Sequence, residues 1–319
     1  MDRVLVVGYP YWAGVAADLL RAAGLDAAVW RAGIGDLPAA IRWCPPLRWL
    51  AFLLDRDFRA ARVIHHVGTV SSRKLLWAAR RMGKRVVLHW VGTDVLVLAK
   101  AVAQGNREPL EFYQAIADFH FADSPEIAAE LAELGLHAEV FRLLPTSVEA
   151  REVPMPREPA VLTYWSSAHR EFYRGDIVDA LADEFKDVKF FVAGSDGAGQ
   201  PRHPNMQYLG WLPSLEAVYG KTSVLIRMPE HDSLSAMVLE MLARGRWVIY
   251  SKPFPHTETA TNLEEARAAL ARCLARQGPN REGQEYVRQN FSPSHEAQRI
   301  APIYSRILHE GDREGCVRQ

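Results

Sequence analysis

Short apolar, often β-branched runs alternate with stretches of helical spacing along almost the whole chain. Arg3–Gly8 is a run of Val and Leu closed by glycine, and 14–23 places its apolar residues at helical intervals. The segments 26–30, 62–66, 84–89, Phe119–Ala122 and 137–143 read as further strands. Those at 71–82, 112–117 and 125–134 read as helices, the last closed by Gly135. From residue 160 the alternation restarts, with strands at Ala160–Tyr164, 188–194, 206–209, 223–227 and Trp247–Tyr250. Helices are predicted at 173–185, 213–219, 235–243 (with Gly245 as the stop signal), 262–276, 281–289 and 295–309, and the tail from 311 as frayed. Strands separated by helices at this spacing build a mostly parallel sheet covered on both faces.

Between the two series lies PTSVEAREVPMPREPA, residues 145–160, with four prolines and no apolar period. This is the predicted domain boundary. The reading is an α/β protein with an N-terminal domain at 1–150 and a second domain at 151–290. Residues 291–319 read as a terminal helix and tail. The length of 319 residues suits two domains. In such sheets ligands bind beyond the carboxyl ends of the strands, so two facing domains would bury a ligand between them.

Composition narrows the function classes. Lys plus Arg and Asp plus Glu both number 38, so no general basic surface for nucleic acid is indicated. The three cysteines, Cys44, Cys273 and Cys316, are far apart and form no metal-spaced pair, which fits a reducing, cytoplasmic compartment. The opening MDRVLVVGYPYW reads as a first strand rather than a signal peptide. No stretch reaches the roughly 20 apolar residues of a membrane span. The segment 41–54, IRWCPPLRWLAFLL, combines Trp43 and Trp49 with Arg42 and Arg48. It either packs on the domain core, lines the substrate cleft, or makes a peripheral contact with the inner face of a membrane.

The chemistry is concentrated at 223–251, SVLIRMPEHDSLSAMVLEMLARGRWVIYS. An acidic residue, seven residues, a glutamate, a small-residue helix end, glycine and a strand follow one another here. This order resembles the donor-binding core of retaining glycosyltransferases of the GT4-like family. The resemblance implies the GT-B fold: two facing Rossmann-like, doubly wound domains, with the terminal segment 291–319 crossing back to the first domain. Asp232 and Glu240 fall at its two acidic positions, with Asp232 in place of the usual glutamate, Ser233 in place of the usual glycine, and Glu230 as an alternative first carboxylate. FFVAGSDG at 190–197 is similar to the strand and glycine turn before the nucleotide site, with Gly194 at the turn. QYLGWLP at 207–213 is similar to the segment that holds the nucleobase, with Trp211 and Leu212. By the same resemblance Glu240 accepts the ribose hydroxyls and Asp232 contacts the sugar. A helix beginning near Ser233 would offer free N–H groups and a positive dipole end to the diphosphate, with Ser233, Leu234, Ser235 and Ala236 permitting close approach. The family's early arginine is absent. Ser166 or Ser167 stands there, and Arg174, then Arg170, are the available cations; each could equally be a surface charge.

In the first domain GYPYWAG, 8–14, resembles the loop that faces the diphosphate and acceptor, with Gly14 as the close-approach glycine or simply a helix-start residue. It lacks the GxGxxG spacing. His89 ends a strand, where the family often has a histidine near the transferred sugar. Asp94 either binds or deprotonates the acceptor hydroxyl, or caps a helix. His65 and His66 close another strand before Gly68, and no carboxylate or cysteine completes a metal set with them. The resemblance thus implies transfer, with retention, from a UDP- or GDP-sugar to a hydroxyl on a saccharide, lipid-linked or small-molecule acceptor. It implies no tightly bound cofactor and no metal. A non-catalytic sugar-nucleotide-binding protein and a sugar-nucleotide epimerase on the same fold are the alternatives.

Overall fold

The computed structural model describes residues 3–30, 54–68, 73–149 and 153–314. The segment 41–53, with its tryptophans, and Cys44 and Cys316 lie outside them. The chain divides into two compact units, Met1–Pro145 with Pro293–Gln319, and Thr146–Ser292.

In the first unit, strands β1 (Arg3–Gly8), β2 (Ala27–Val29), β3 (Ala61–Val67), β4 (Arg85–Trp90), β5 (Phe119–Ala122) and β6 (Glu139–Val140) form one sheet. All its pairings are parallel and the order is β2-β1-β3-β4-β5-β6. Among the described residues, six α-helices join them: α1 (Pro10–Ala22), α2 (Arg56–Ala60), α3 (Arg73–Arg81), α4 (Thr93–Ala103), α5 (Glu108–Ile116) and α6 (Pro125–Glu133). Alternating strand residues feed two cores. Leu5, Val7, Ile64, Leu88 and Trp90 face one side, and Val4, Val6, Val63 and Val87 the other. The last helix, Pro293–Glu314, adds Ile300, Ile303, Tyr304, Ile307 and Leu308 to the second core. Each such buried side chain stabilises by about 1.5–3 kcal/mol, so this helix is integral to the first unit.

The second unit has its own sheet: β7 (Ala160–Tyr164), β8 (Lys189–Ala193), β9 (Met206–Gly210), β10 (Val224–Arg227), β11 (Trp247–Tyr250) and β12 (Glu258–Thr259). Its pairings are also parallel, in the order β12-β11-β10-β7-β8-β9. The helices are α7 (Gly175–Glu184), α8 (Glu216–Tyr219), α9 (Ala236–Ala243), α10 (Leu263–Ala275) and α11 (Arg281–Asn290), so that Pro293–Glu314 is α12. Both sheets reverse direction once. The reversal lies between β1 and β3 in the first unit and between β7 and β10 in the second. In open parallel sheets ligands bind outside the carboxyl ends of the strands at such switch points.

The observed elements differ from the sequence reading in specific places. α1 starts at Pro10, not 14, because proline at the first helical turn needs no N–H acceptor and presets φ. α4 is a helix whose sequence, TDVLVLAKAVA, has too many β-branched residues to announce itself. α12 spans Pro293–Glu314, longer at both ends than 295–309, with Pro302 inside it as read, and β6 is two residues rather than seven. No described helix is long and apolar enough to cross a membrane.

Candidate functional site

The second unit's switch point is lined by polar side chains at otherwise apolar strand ends. β10 reads VLIR, and its arginine stands where the strand emerges. Arg227 grips Asp232 with both prongs of its guanidinium, Nε to Oδ2 at 2.8 Å and Nη2 to Oδ1 at 3.1 Å. Such fork-to-fork pairs are strong and orient both partners. The Tyr250 hydroxyl, at the end of β11, donates to Oδ2 at 3.1 Å, and Lys252 Nζ donates to the Asp232 carbonyl. The guanidinium also lies 5.3 Å from the centre of the Tyr173 ring. Burial opposes the Arg227 charge, but the Asp232 charge and hydrogen bonds outweigh it and hold the guanidinium above its usual range. Glu230 is exposed, and its backbone N–H is bound to the Phe172 carbonyl.

Glu240 sits on the second turn of α9 and is 7% exposed. Two hydroxyls, Ser147 Oγ and Tyr219 Oη, donate to its two carboxylate oxygens. Burial pushes the carboxyl pKa up, while these bonds and the nearby Arg244 oppose the shift. Arg244 completes the setting: it donates to the carbonyls of Ser147 and Glu240, both at 2.9 Å, and lies 4.9 Å from the Tyr219 ring centre. The start of α9 carries neither a side-chain cap on Ser235 nor an acid in its first turn. Its first N–H groups and dipole end therefore favour an anion.

At the end of β8, Gly194 has φ +89°, and a Cβ there would lie 2.6 Å from the Tyr164 ring. Beside it, the buried Ser195 hydroxyl meets Ser167 Oγ at 2.9 Å and accepts the Gly197 N–H at 3.2 Å. Trp211 follows edge strand β9 and is 78% exposed; Leu212 next to it is half-buried. Arg170 turns onto Asp179 of α7 and fills the space over Gly175. Arg174 is half-buried, in the left-handed region with φ 54°, and pairs with the exposed Asp176 at 3.3 Å. An exposed pair of this kind is worth about 0–1 kcal/mol and is readily exchanged. The structure thus gathers Asp232, Ser233, Leu234, Ser235, Ala236 and Glu240 on one loop and helix, and turns Arg170 away into its own packing.

In the first unit, Asp94 is buried at the start of α4. It accepts the backbone N–H groups of Val91, Gly92 and Val95, with Oδ1 at 3.0 Å from each nitrogen. His89 is fully buried against Phe121 and Phe141 and is bonded to His65. Gly14 lies inside α1, and a Cβ there would meet nothing within 4 Å. The backbone contact is at Gly8, φ +118°, where a Cβ would sit 1.9 Å from the Val67 carbonyl oxygen. Gly14→Ala is therefore expected to stabilise the helix by up to about 1 kcal/mol, and Gly8→Ala to destabilise by more than about 2 kcal/mol, in urea unfolding. A Gly14→Ala variant that is stable but weak in ligand binding would identify Gly14 as a ligand-approach position.

No protein-family model matches the chain, and no curated protein matches it in sequence. Solved structures do. Alr3699/HepE of Anabaena in complex with UDP and glucose is 14% identical, with a TM-score of 0.67 over 96% of this chain and 100% of that one. A sucrose-phosphate synthase from Thermosynechococcus elongatus is 16% identical, with a TM-score of 0.70 over 97% and 99%. A glycosyltransferase from Rickettsia africae ESF-5 is 12% identical, with a TM-score of 0.63 over 97% and 99%. The fold is GT-B.

Within this GT-B chain the structure adds residues that sequence reasoning passed over. Arg227 was visible as an arginine closing an apolar strand, a position that burial penalises unless a carboxylate accompanies it. Ser147 lay inside the supposed linker, in a 3-10 turn at Thr146–Val148, and nothing in the sequence tied it to Glu240. Tyr219, Tyr250 and Lys252 close other strand and helix ends. Among the described residues no group of three or more His, Cys, Asp or Glu is placed to hold a metal ion. The described cysteine, Cys273, is buried and its thiol is pushed up to about 12, chiefly by burial, so it is unreactive.

Proposed function

We propose that this chain is a glycosyltransferase of the GT4-like kind, moving a sugar from a nucleoside-diphosphate sugar to an acceptor hydroxyl with retention of configuration. The observation that carries the reading is Glu240: a buried carboxylate on a helix with an uncapped N-terminus, whose two oxygens already receive two hydroxyl donors. A ribose diol presents the same pair of donors. A diphosphate lying at the start of α9 would then meet free N–H groups, with Arg227 and Lys252 as nearby cations. Charge developing on the leaving diphosphate would be stabilised there without a metal. Asp232, held in place by Arg227, would face sugar hydroxyls, and Trp211 would offer its exposed ring to the base. Two neighbours in fold were solved with UDP and glucose or with UDP-glucose. In the first unit His89 and Gly14 remain candidates for the diphosphate-and-sugar side. Asp94 is a candidate acceptor base that would have to act from its place at the start of α4. The acceptor would be a saccharide, a lipid-linked or a small-molecule hydroxyl, and the site of action cytoplasmic, with 41–54 as the membrane-facing segment if the acceptor is lipid.

A binding-only reading has one observation in its favour: Asp232 is already bonded by Arg227 and Tyr250. A panel of UDP-, GDP- and ADP-sugars, screened by thermal shift and then by nucleotide release, separates the two. Transfer requires both a shift and release. A shift with no release across acceptors supports binding alone, and no shift with any donor overturns both.

A further inference from the structure

His65 and His89 occupy neighbouring strands β3 and β4 and are fully buried, as is Tyr304 of α12. The Tyr304 hydroxyl meets His65 Nδ1, and His65 Nε2 lies 3.1 Å from His89 Nδ1. The Tyr304 and His65 rings are stacked at 6.0 Å with 16° between their planes, and His89 is stacked on Phe141 at 5.1 Å. His89 Nε2, at the far end, makes no hydrogen bond among the described residues.

Burial holds both imidazoles neutral: His89 is lowered to about 3, and His65 well below its usual value, with its histidine neighbours adding to the effect. Each ring therefore has one N–H, and two arrangements satisfy the contacts. In the first, Tyr304 donates to His65 Nδ1, His65 Nε2–H donates to His89 Nδ1, and His89 carries its proton on Nε2. In the second every bond is reversed, and His89 Nε2 is bare. The second leaves the Tyr304 O–H with no acceptor among the described residues, since His65 Nδ1 is its one partner. It also leaves His89 Nε2 without its proton, so that both ends of the chain of bonds are unmet. The first leaves one group unmet among the described residues, the His89 Nε2–H, and the second leaves two, the Tyr304 O–H and the bare His89 Nε2. Each unmet buried polar group costs about 1–3 kcal/mol, so the first arrangement is selected.

We infer that Tyr304 is a positioning residue which, through His65, fixes His89 as the Nε2–H tautomer, so that β4 carries a hydrogen-bond donor rather than a base near its carboxyl end. The last helix of the chain thereby sets the polarity of a side chain on a strand more than two hundred residues earlier. The meaning for catalysis rests on the transferase reading: a donor N–H suits an oxygen lone pair of a sugar or diphosphate, and it cannot remove a proton from an acceptor.

The test is two-bond 1H–15N correlation of the imidazole rings in the 15N-labelled full chain at pH 7. Both His65 and His89 are expected as pure Nε2–H tautomers. Tyr304→Phe removes the donor that holds His65 Nδ1 bare, and both rings are expected to become tautomer mixtures while the backbone amide spectrum stays dispersed. A wild-type His89 protonated on Nδ1 overturns the inference, as does a folded Tyr304→Phe chain with both tautomers unchanged. Neither spectrum depends on nucleotide-sugar turnover, so failure of the transferase reading is distinguishable from failure of this one.

Discussion

Lowering the pH from 7 to 5 is expected to unfold the first unit. Three histidines there, His65, His66 and His89, are buried, a fourth, His120, is half-buried, and all four are neutral. Burial lowers His66 and His120 to about 4 and His89 to about 3, and holds His65 well below its usual value. His66 contributes most directly, because neither ring nitrogen has a hydrogen-bond partner among the described residues. His120 accepts from Trp90 Nε1 at 3.1 Å, a bond to the neutral ring. In the unfolded chain all four take up protons near pH 6.5. Their depressed values mean that stability is fully present above that pH and is lost as the pH falls towards the folded values. Each group contributes a slope of about 1.4 kcal/mol per pH unit, and four together roughly 5 kcal/mol per unit once below pH 6. A domain holds about 5–15 kcal/mol in all. Near-ultraviolet circular dichroism against pH should show a cooperative loss centred near pH 5. His66→Phe, which removes one uncompensated imidazole, should move the midpoint downward. A midpoint near pH 3–4 in wild type, where carboxylates titrate, would contradict the burial of these rings.

Arg227→Met should have the next largest effect. It leaves Asp232 among half-buried and buried neighbours without its cation, and breaking a buried pair from one side costs about 3–5 kcal/mol. The second unit should lose that much in urea unfolding. Adding Asp232→Asn removes the stranded charge, so the double variant should recover most of the stability. It should not recover UDP affinity, because the cation near the start of α9 is still missing. Uridine, which has no phosphates, should bind both variants almost as it binds wild type. A double variant that binds UDP normally would limit Arg227 to a structural partner of Asp232.

Much of the fold was legible because buried parallel strands are short apolar runs ending at glycine or a polar residue. Phe119–Ala122, Ala160–Tyr164 and Trp247–Tyr250 were read to the residue. Helices whose faces are mixed were harder. α4 is nearly all apolar or β-branched, so its period is blurred. In the site, the run around Asp232 and Glu240 was legible from local spacing, since an i, i+8 pair on a loop and helix is a local feature. What escaped depends on contacts between distant segments. Ser147 reaches Glu240 across 93 residues, and Tyr304 reaches His65 across 239. Cations are ambiguous in the same way: Arg170 and Arg227 are both arginines near strand ends, and only packing turns one onto Asp179 and the other onto Asp232.

The donor site centred on Glu240 is tested most directly by titrating UDP-glucose into wild type and Glu240→Gln by calorimetry at pH 7.5. Charge-assisted hydrogen bonds are worth about 1.5–3 kcal/mol each, so losing the carboxylate should weaken binding on the order of 100-fold. Stability should move the other way. Because burial raises the Glu240 pKa, its contribution is fully present below the ordinary carboxylate range and lost as the pH rises through the folded value. At pH 7.5 the neutral glutamine should therefore leave Tm unchanged or higher. Weaker binding with an undiminished Tm is the predicted result; a Glu240→Gln chain that binds UDP-glucose as wild type does would contradict it.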